Sequence, residues 1–170
     1  MTTLKSLANK KVLVLKIHAS LFEAAKAMES KSVGCALVSD GKGQIVGLIT
    51  DRDIACRGIG SKMSGSEKIS SLVHQDLIYI GENRSLSEAT KVMQHFGIRR
   101  LPVIKNSPGG KSKCIGILSF DDLVFSGVVP LDELAEIIRS QMSRPKKRPV
   151  KNPPELFFIP KELQPISTPI

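Results

Sequence analysis

Two hydrophobic periods alternate along this chain: short runs of Val, Ile and Leu, and longer stretches with an apolar residue every three to four positions. Val12 to Ile17 is a run with strand character. Ser20, with Glu23 three residues on, writes a capping box, and Leu21, Ala24, Ala25 and Met28 fall on one helical face. Gly34 is expected to close that helix region. Cys35 to Val38 reads as a buried strand, Asp40-Gly41-Lys42-Gly43 as a hairpin turn, and Ile45 to Ile49 as the partner strand. Thr50 then meets charge, Asp51-Arg52-Asp53, and is expected to cap a helix reaching about Gly58.

The same order restarts. Leu77 to Ile80 is a strand, Ser85 and Glu88 form a second capping box, and Leu86, Ala89, Thr90 and Met93 mark its helix face. Leu101 to Ile104 and Ile115 to Leu118 are strands joined by a Pro/Gly-bearing loop, and Ser119 caps a helix from Phe120 to about Ser126. Ser20 and Ser85, Glu23 and Glu88, Met28 and Met93, and Val38 and Val103 are each 65 positions apart. After the hairpin, Gly47 and Gly116, Thr50 and Ser119, and Asp53 and Asp122 are each 69 apart. The register changes once, inside a turn, where insertions are tolerated. The chain is therefore an internal duplication.

The fold class expected is α/β (α+β), two tandem β-α-β-β-α repeats packed as a pseudo-symmetric pair. Residues 4–58 form repeat 1, 59–72 a linker and the lead-in helix of repeat 2, and 73–126 repeat 2. The lead-in, Lys68 to Val73, has its counterpart in Leu4 to Ala8. A helix over 130–142 presents Leu131, Leu134, Ala135, Ile138 and Met142 on one face, for the body or a second subunit. Residues 143–170 hold seven of the ten prolines and read as an extended tail.

Composition sharpens this picture in three ways. With 4% aromatic residues and no Trp, the core must be aliphatic. The net charge of +9 is uneven, since residues 139–170 hold seven basic and two acidic residues. Such a tail suits nucleic acid, headgroups or a polyphosphate. Cys35, Cys56 and Cys114 form no CxxC pair and read as reduced thiols. No apolar run reaches the roughly 18 residues of a membrane span, and no apolar leader follows Met1, so a soluble cytoplasmic protein is expected.

Two repeats in register, each ending in apolar-Gly-x-x-(Ser/Thr)-x-x-Asp, with Gly97-Ile98-Arg99-Arg100-Leu101-Pro102-Val103 before the second hairpin, resemble a tandem CBS-domain (cystathionine-β-synthase-type) protein. The resemblance covers about residues 4–126. It implies two units packed through their sheets into a disc, with up to two clefts for adenosine-containing ligands. AMP, ADP or ATP are the expected ligands, with S-adenosylmethionine or NAD(H) as further candidates, and no cofactor is required. It also implies a regulatory, non-catalytic sensor, a homodimer and a regulated protein partner. Carried onto this sequence, Thr50 and Asp53 match the hydroxyl and carboxylate of the first motif, and Ser119 and Asp122 those of the second. Leu13 and Ile78, on each first strand, correspond to backbone contacts for adenine. Val33 to Cys35 and Ile98 to Arg100 correspond to the cleft walls.

The chemistry of these residue types suits that role. A carboxylate accepts both ribose hydroxyls, and a hydroxyl beside backbone N–H groups meets a phosphate. Arg52 makes the first motif the better candidate for a phosphate, because the second carries Asp121 there; Arg99 and Arg100 stand near the second. His18 precedes the first capping box and is a further candidate contact. His18, His74 and His95 have no metal-ligand spacing and are expected at the surface or rim. Asp51/Asp53 and Asp121/Asp122 are expected as first-turn complements to the helix dipole, without catalysis. The alternative function is a nucleic-acid-associated protein that binds through the tail, with the repeat pair as scaffold.

Overall fold

A computed structural model describes residues 3–106, 112–143 and 163–164 of the 170. The basic knot Arg144 to Arg148 and the apolar segment Leu156 to Ile159 of the tail lie outside the described residues. Two compact units result. Among the described residues, one holds 11–77 and the other 3–10 with 78–106 and 112–143.

In the first unit, β1 (Val14–Lys16), α2 (Leu21–Lys31), β2 (Cys35–Ser39) and β3 (Ile45–Thr50) follow α1 (Leu4–Leu7), which belongs to the other unit. The strand β1 runs parallel to β2, and β2 antiparallel to β3, pairing Cys35 with Thr50. Ser20 caps α2 by accepting from the Glu23 N–H, while Glu23 accepts from the Ser20 N–H, so two orphan donors are satisfied together. Leu21, Ala24 and Met28 are buried as their spacing predicts, and Ala25 is exposed. The helix ends two residues before Gly34, at Ser32, which adopts the left-handed conformation and satisfies the Met28 and Glu29 carbonyls. Asp40 holds the hairpin by accepting from the Lys42 and Gln44 N–H groups.

The helix expected over 51–58 has a different character. Its first turn opens into a π-helix, Asp53–Gly58, and closes in a 3₁₀ turn, Ile59–Ser61. Such i→i+5 windings are rare and short.

The second unit repeats the plan with β4 (Ile80–Gly81), α3 (Leu86–Phe96), β5 (Arg100–Asn106), β6 (Ser112–Ser119) and α4 (Phe120–Ser126). Arg100 pairs with Ser119 as Cys35 pairs with Thr50, and the ladder bulges after Val103 as the first does after Val38. Both first strands are shorter than their apolar runs. Leu13 stands one residue ahead of β1 and Ile78 two residues ahead of β4, rather than within them.

The last helix, α5 (Leu131–Met142), packs on α3: the Thr90 hydroxyl donates to Glu133 Oε2 at 2.9 Å and Gln94 Nε2 to the Glu133 carbonyl at 3.0 Å. Leu134 and Ile137 are the residues it buries. The face predicted from spacing is thus only partly the buried one: Leu131, Ile138 and Met142 are exposed, and Ala135 is half-buried. Glu133 bonds to α3, and Ile137, one position before the expected Ile138, is the residue buried beside Leu134.

The lead-ins are exchanged. Repeat 1's lead-in, α1 to Asn9, completes the second unit: Leu4 and Ala8 enter the core beside Leu101 and Leu118, and Asn9 and Ile117 exchange N–H···O bonds of 2.9 and 3.0 Å. Repeat 2's lead-in, the 3₁₀ turn Ile69–Ser71 to His74, completes the first unit, where His74 and Leu48 exchange bonds of 2.9 and 3.1 Å. Under the offsets of 65 and 69, Asn9 corresponds to His74 and Ile117 to Leu48. The chain therefore crosses between the units after residue 10 and again after residue 77.

Each bridge passes over a glycine. A Cβ on Gly47 would lie 2.3 Å from the His74 carbonyl oxygen and 2.5 Å from Val73 Cγ1; one on Gly116 would lie 2.9 Å from Ala8 Cβ. Gly47→Ala is expected to destabilise the protein by about 1–3 kcal/mol through overpacking, with Gly116→Ala the milder of the two. Gly41→Ala, which meets nothing within 4 Å, should be near neutral. Urea unfolding of the three variants checks the order.

Candidate functional site

The two motif segments are built alike at their first turn. Thr50 Oγ1 and the Thr50 N–H donate to Asp53 Oδ2 at 2.6 and 3.0 Å, and the Asp53 N–H donates back to Thr50 Oγ1 at 3.2 Å. Ser119 Oγ and the Ser119 N–H both donate to Asp122 Oδ2 at 2.7 Å, and the Asp122 N–H returns at 3.1 Å. Each is a capping box with Asp in place of Glu. In each, the first helical N–H reaches the neighbouring wall: Asp51 donates to the Gly34 carbonyl at 3.1 Å, Phe120 to the Arg99 carbonyl at 2.8 Å.

These bonds bring the sequence-predicted wall residues and motif residues together within each unit. Cys35 lies opposite Thr50, and Val33 is half-buried just before it. Arg100 lies opposite Ser119, and Ile98 packs on the core. Leu13 is tied to the same sheet, because its carbonyl accepts from the Leu37 N–H at 2.9 Å. Ile78 packs against the second unit's core. His18 and Arg52 are exposed, and no described residue pairs with either side chain. Arg99 leans over the Phe120 ring, Cζ 5.1 Å from its centroid, with its guanidinium 3.7 Å from Asp121. The acid that distinguishes the second motif therefore has a cation beside it.

Beyond the shared box the segments diverge. Asp53 Oδ1 accepts from Arg57 Nη1 at 3.1 Å and lies 2.9 Å from His74 Nε2. The same Arg57 nitrogen donates to the Leu72 carbonyl at 2.9 Å. Asp53 is only 7% exposed, so it is buried as an ion among three partners. Asp122 is half-buried, and no described residue approaches its Oδ1 as a partner. His74, expected as a bare rim side chain, is half-exposed but bonded to the motif carboxylate. Asp53, expected as the ligand-facing carboxylate of the first motif and a complement to the helix dipole, is the centre of this cluster.

Three comparisons bear on what this arrangement is. The model of the CBS domain matches residues 4–57 and again 69–128. The chain belongs to the CBS-domain family. Its curated relatives include YlbB of Bacillus subtilis, an uncharacterized protein, 33% identical over 127 residues, which are 74% of this chain and 82% of that one. Among solved structures, the CBS-domain protein TA0289 of Thermoplasma acidophilum superposes with a TM-score of 0.74 at 19% identity, over 84% of this chain and 78% of that one. The CBS-domain pair of protein MJ0100, solved with 5′-methylthioadenosine and S-adenosyl-L-methionine, gives 0.64 at 22%, over 75% and 98%. These likenesses confirm the tandem CBS fold.

Within this CBS pair, the difference between the two motif carboxylates comes from residues outside the motif itself. Arg57 carries a faint local signal, an opposite charge four positions after Asp53. His74 has none, because it reaches Asp53 only through the bridge to Leu48. Of the described residues, no three His, Cys, Asp or Glu side chains gather as a metal site, and no helix is long and apolar enough to cross a membrane.

The electrostatics follow from the geometry. Burial pushes the Asp53 carboxyl up, but hydrogen bonds from His74 and Thr50, with the charge of His74, outweigh it and hold it well below the usual range. A lowered folded-state value means that ionisation stabilises the fold, fully above the unfolded value of about 4, and that this gain is lost as pH falls further. Asp53→Asn should therefore cost about 1–3 kcal/mol at pH 7, with the gap to wild type narrowing below roughly pH 4. Urea unfolding at pH 7 and pH 3 measures the gap.

Proposed function

We propose that this protein is a regulatory, non-catalytic sensor that binds an adenosine-containing ligand against a motif segment and transmits occupancy to a protein partner. The observation that carries this reading is the second motif. Asp122 is oriented by its capping box through Oδ2, while Oδ1 has no partner among the described residues. A carboxylate of that kind suits a vicinal ribose diol, which needs two acceptor positions. Arg100, on the facing strand and likewise without a side-chain partner among the described residues, is a cation suited to a phosphate.

Further support comes from membership of the CBS-domain family and from MJ0100, whose CBS pair was solved with two adenosine derivatives. On this reading Ile78 and Ile98 flank the adenine, Ser119 and Asp122 orient the ribose, and Arg99 and Arg100 supply positive charge. Ligand binding then shifts a packing equilibrium; couplings of this kind run about 1–3 kcal/mol.

Thermal-shift screening against AMP, ADP, ATP, S-adenosylmethionine and NADH is expected to raise the melting temperature with at least one of them. Asp122→Ala should weaken that ligand at least about tenfold while circular dichroism shows the fold retained. No stabilisation by any of the five compounds would remove the reading.

A further inference from the structure

Asp53 and Asp122 occupy equivalent positions, yet their carboxylates differ in how many acceptor positions remain. A carboxylate offers about four. At Asp122 two are taken, both on Oδ2 by Ser119. At Asp53 all four are taken: Oδ2 by the Thr50 N–H and hydroxyl, Oδ1 by Arg57 and His74. Because Asp53 is ionised, His74 Nε2 must be the donor in that pair. Its 3.3 Å approach to Arg57 Nη1 is then two donors converging on one oxygen.

We infer that Arg57 and His74 are occupancy-determining residues: they close the first CBS motif to a ribose, leaving one ligand site per chain, at the second motif. This rests on the ligand class proposed above. It reverses the preference that Arg52 alone suggests, since a phosphate partner cannot compensate for a ribose acceptor that is already saturated and 93% covered.

The internal duplication supplies the control. The position equivalent to Arg57 is Ser126, whose hydroxyl donates to the Leu123 carbonyl at 2.7 Å and makes no bond to Asp122. The position equivalent to His74 is Asn9, which makes the same backbone bridge but makes no bond to Asp122. Two side chains thus separate a closed motif from an open one built on the same capping box, with a π-helix after the first and an α-helix after the second. Both closing residues are about half-exposed at their side chains, 45% for Arg57 and 50% for His74. They can be exchanged without opening a cavity in the core.

Isothermal titration of the full chain with AMP, ATP and S-adenosylmethionine tests this. Wild type should bind one equivalent of a recognised compound per chain, and Asp122→Ala should lose that binding at least about tenfold. The double variant Arg57→Ser/His74→Asn, which places the second repeat's residues in the first, should bind a second equivalent, and adding Asp122→Ala to it should return the count to one. Two equivalents on wild type, or full binding by Asp122→Ala, would overturn the inference while leaving the ligand class standing. A folded double variant that still binds one equivalent would overturn it too. If none of the three compounds binds wild type or the double variant, the ligand class and the inference fall together. The wild-type and Asp122→Ala measurements decide the matter even if the double variant does not fold.

Discussion

The structure depends on two places where one stretch of backbone lies directly on another. At Gly47 and Gly116 a lead-in segment passes so close to a strand that a methyl group would strike a carbonyl oxygen or a neighbouring Cβ. The reward for that approach is a pair of short backbone hydrogen bonds at each bridge and the burial of Leu4 and Ala8 in one unit, Ile69 and Leu72 in the other. Glycine is required for closeness here, and neither position takes up a left-handed backbone. Because each lead-in belongs by sequence to one repeat and by packing to the other unit, neither repeat completes its core from its own contiguous residues.

The same exchange decides the chemistry of the motifs. His74 meets Asp53 because the bridge to Leu48 delivers it there, in the place where Asn9 stands in the other unit. A single lead-in residue therefore changes the state of a carboxylate in a motif that it does not border in sequence. Arg57 adds to this from the π-helix, reaching both Asp53 and the Leu72 carbonyl, so it clamps the motif to the lead-in. The second motif has an ordinary α-helix after it and no clamp. Duplication preserved the capping geometry in both halves, and divergence at two positions outside the motif made them chemically unequal.

Legibility in the sequence followed the range of the interactions. The capping boxes at Ser20 and Ser85, the hairpin at Asp40 and the helix faces of α2 and α3 are read from residues a few positions apart, and the tandem CBS plan from the recurrence of such local patterns at shared offsets. Strand ends were less legible: Val12 to Ile17 contracts to Val14–Lys16 because an apolar run reports burial, while a strand also needs a paired neighbour. The face of α5 was half legible, since Leu134 is inward as its spacing says, whereas the buried Ile137 and the bonds of Glu133 to Thr90 and Gln94 depend on where α3 lies.

The chain alone thus determined the duplication, the register of its two motifs and the residue types they carry, because those follow from short-range geometry and repeat in sequence. The tertiary structure decided which unit each lead-in completes, and with it whether a motif carboxylate stays open. Asp53 and Asp122 hold the same motif position in sequence. They differ because hydrogen-bond saturation of a buried carboxylate depends on what arrives from 21 residues away, and no local pattern encodes that arrival.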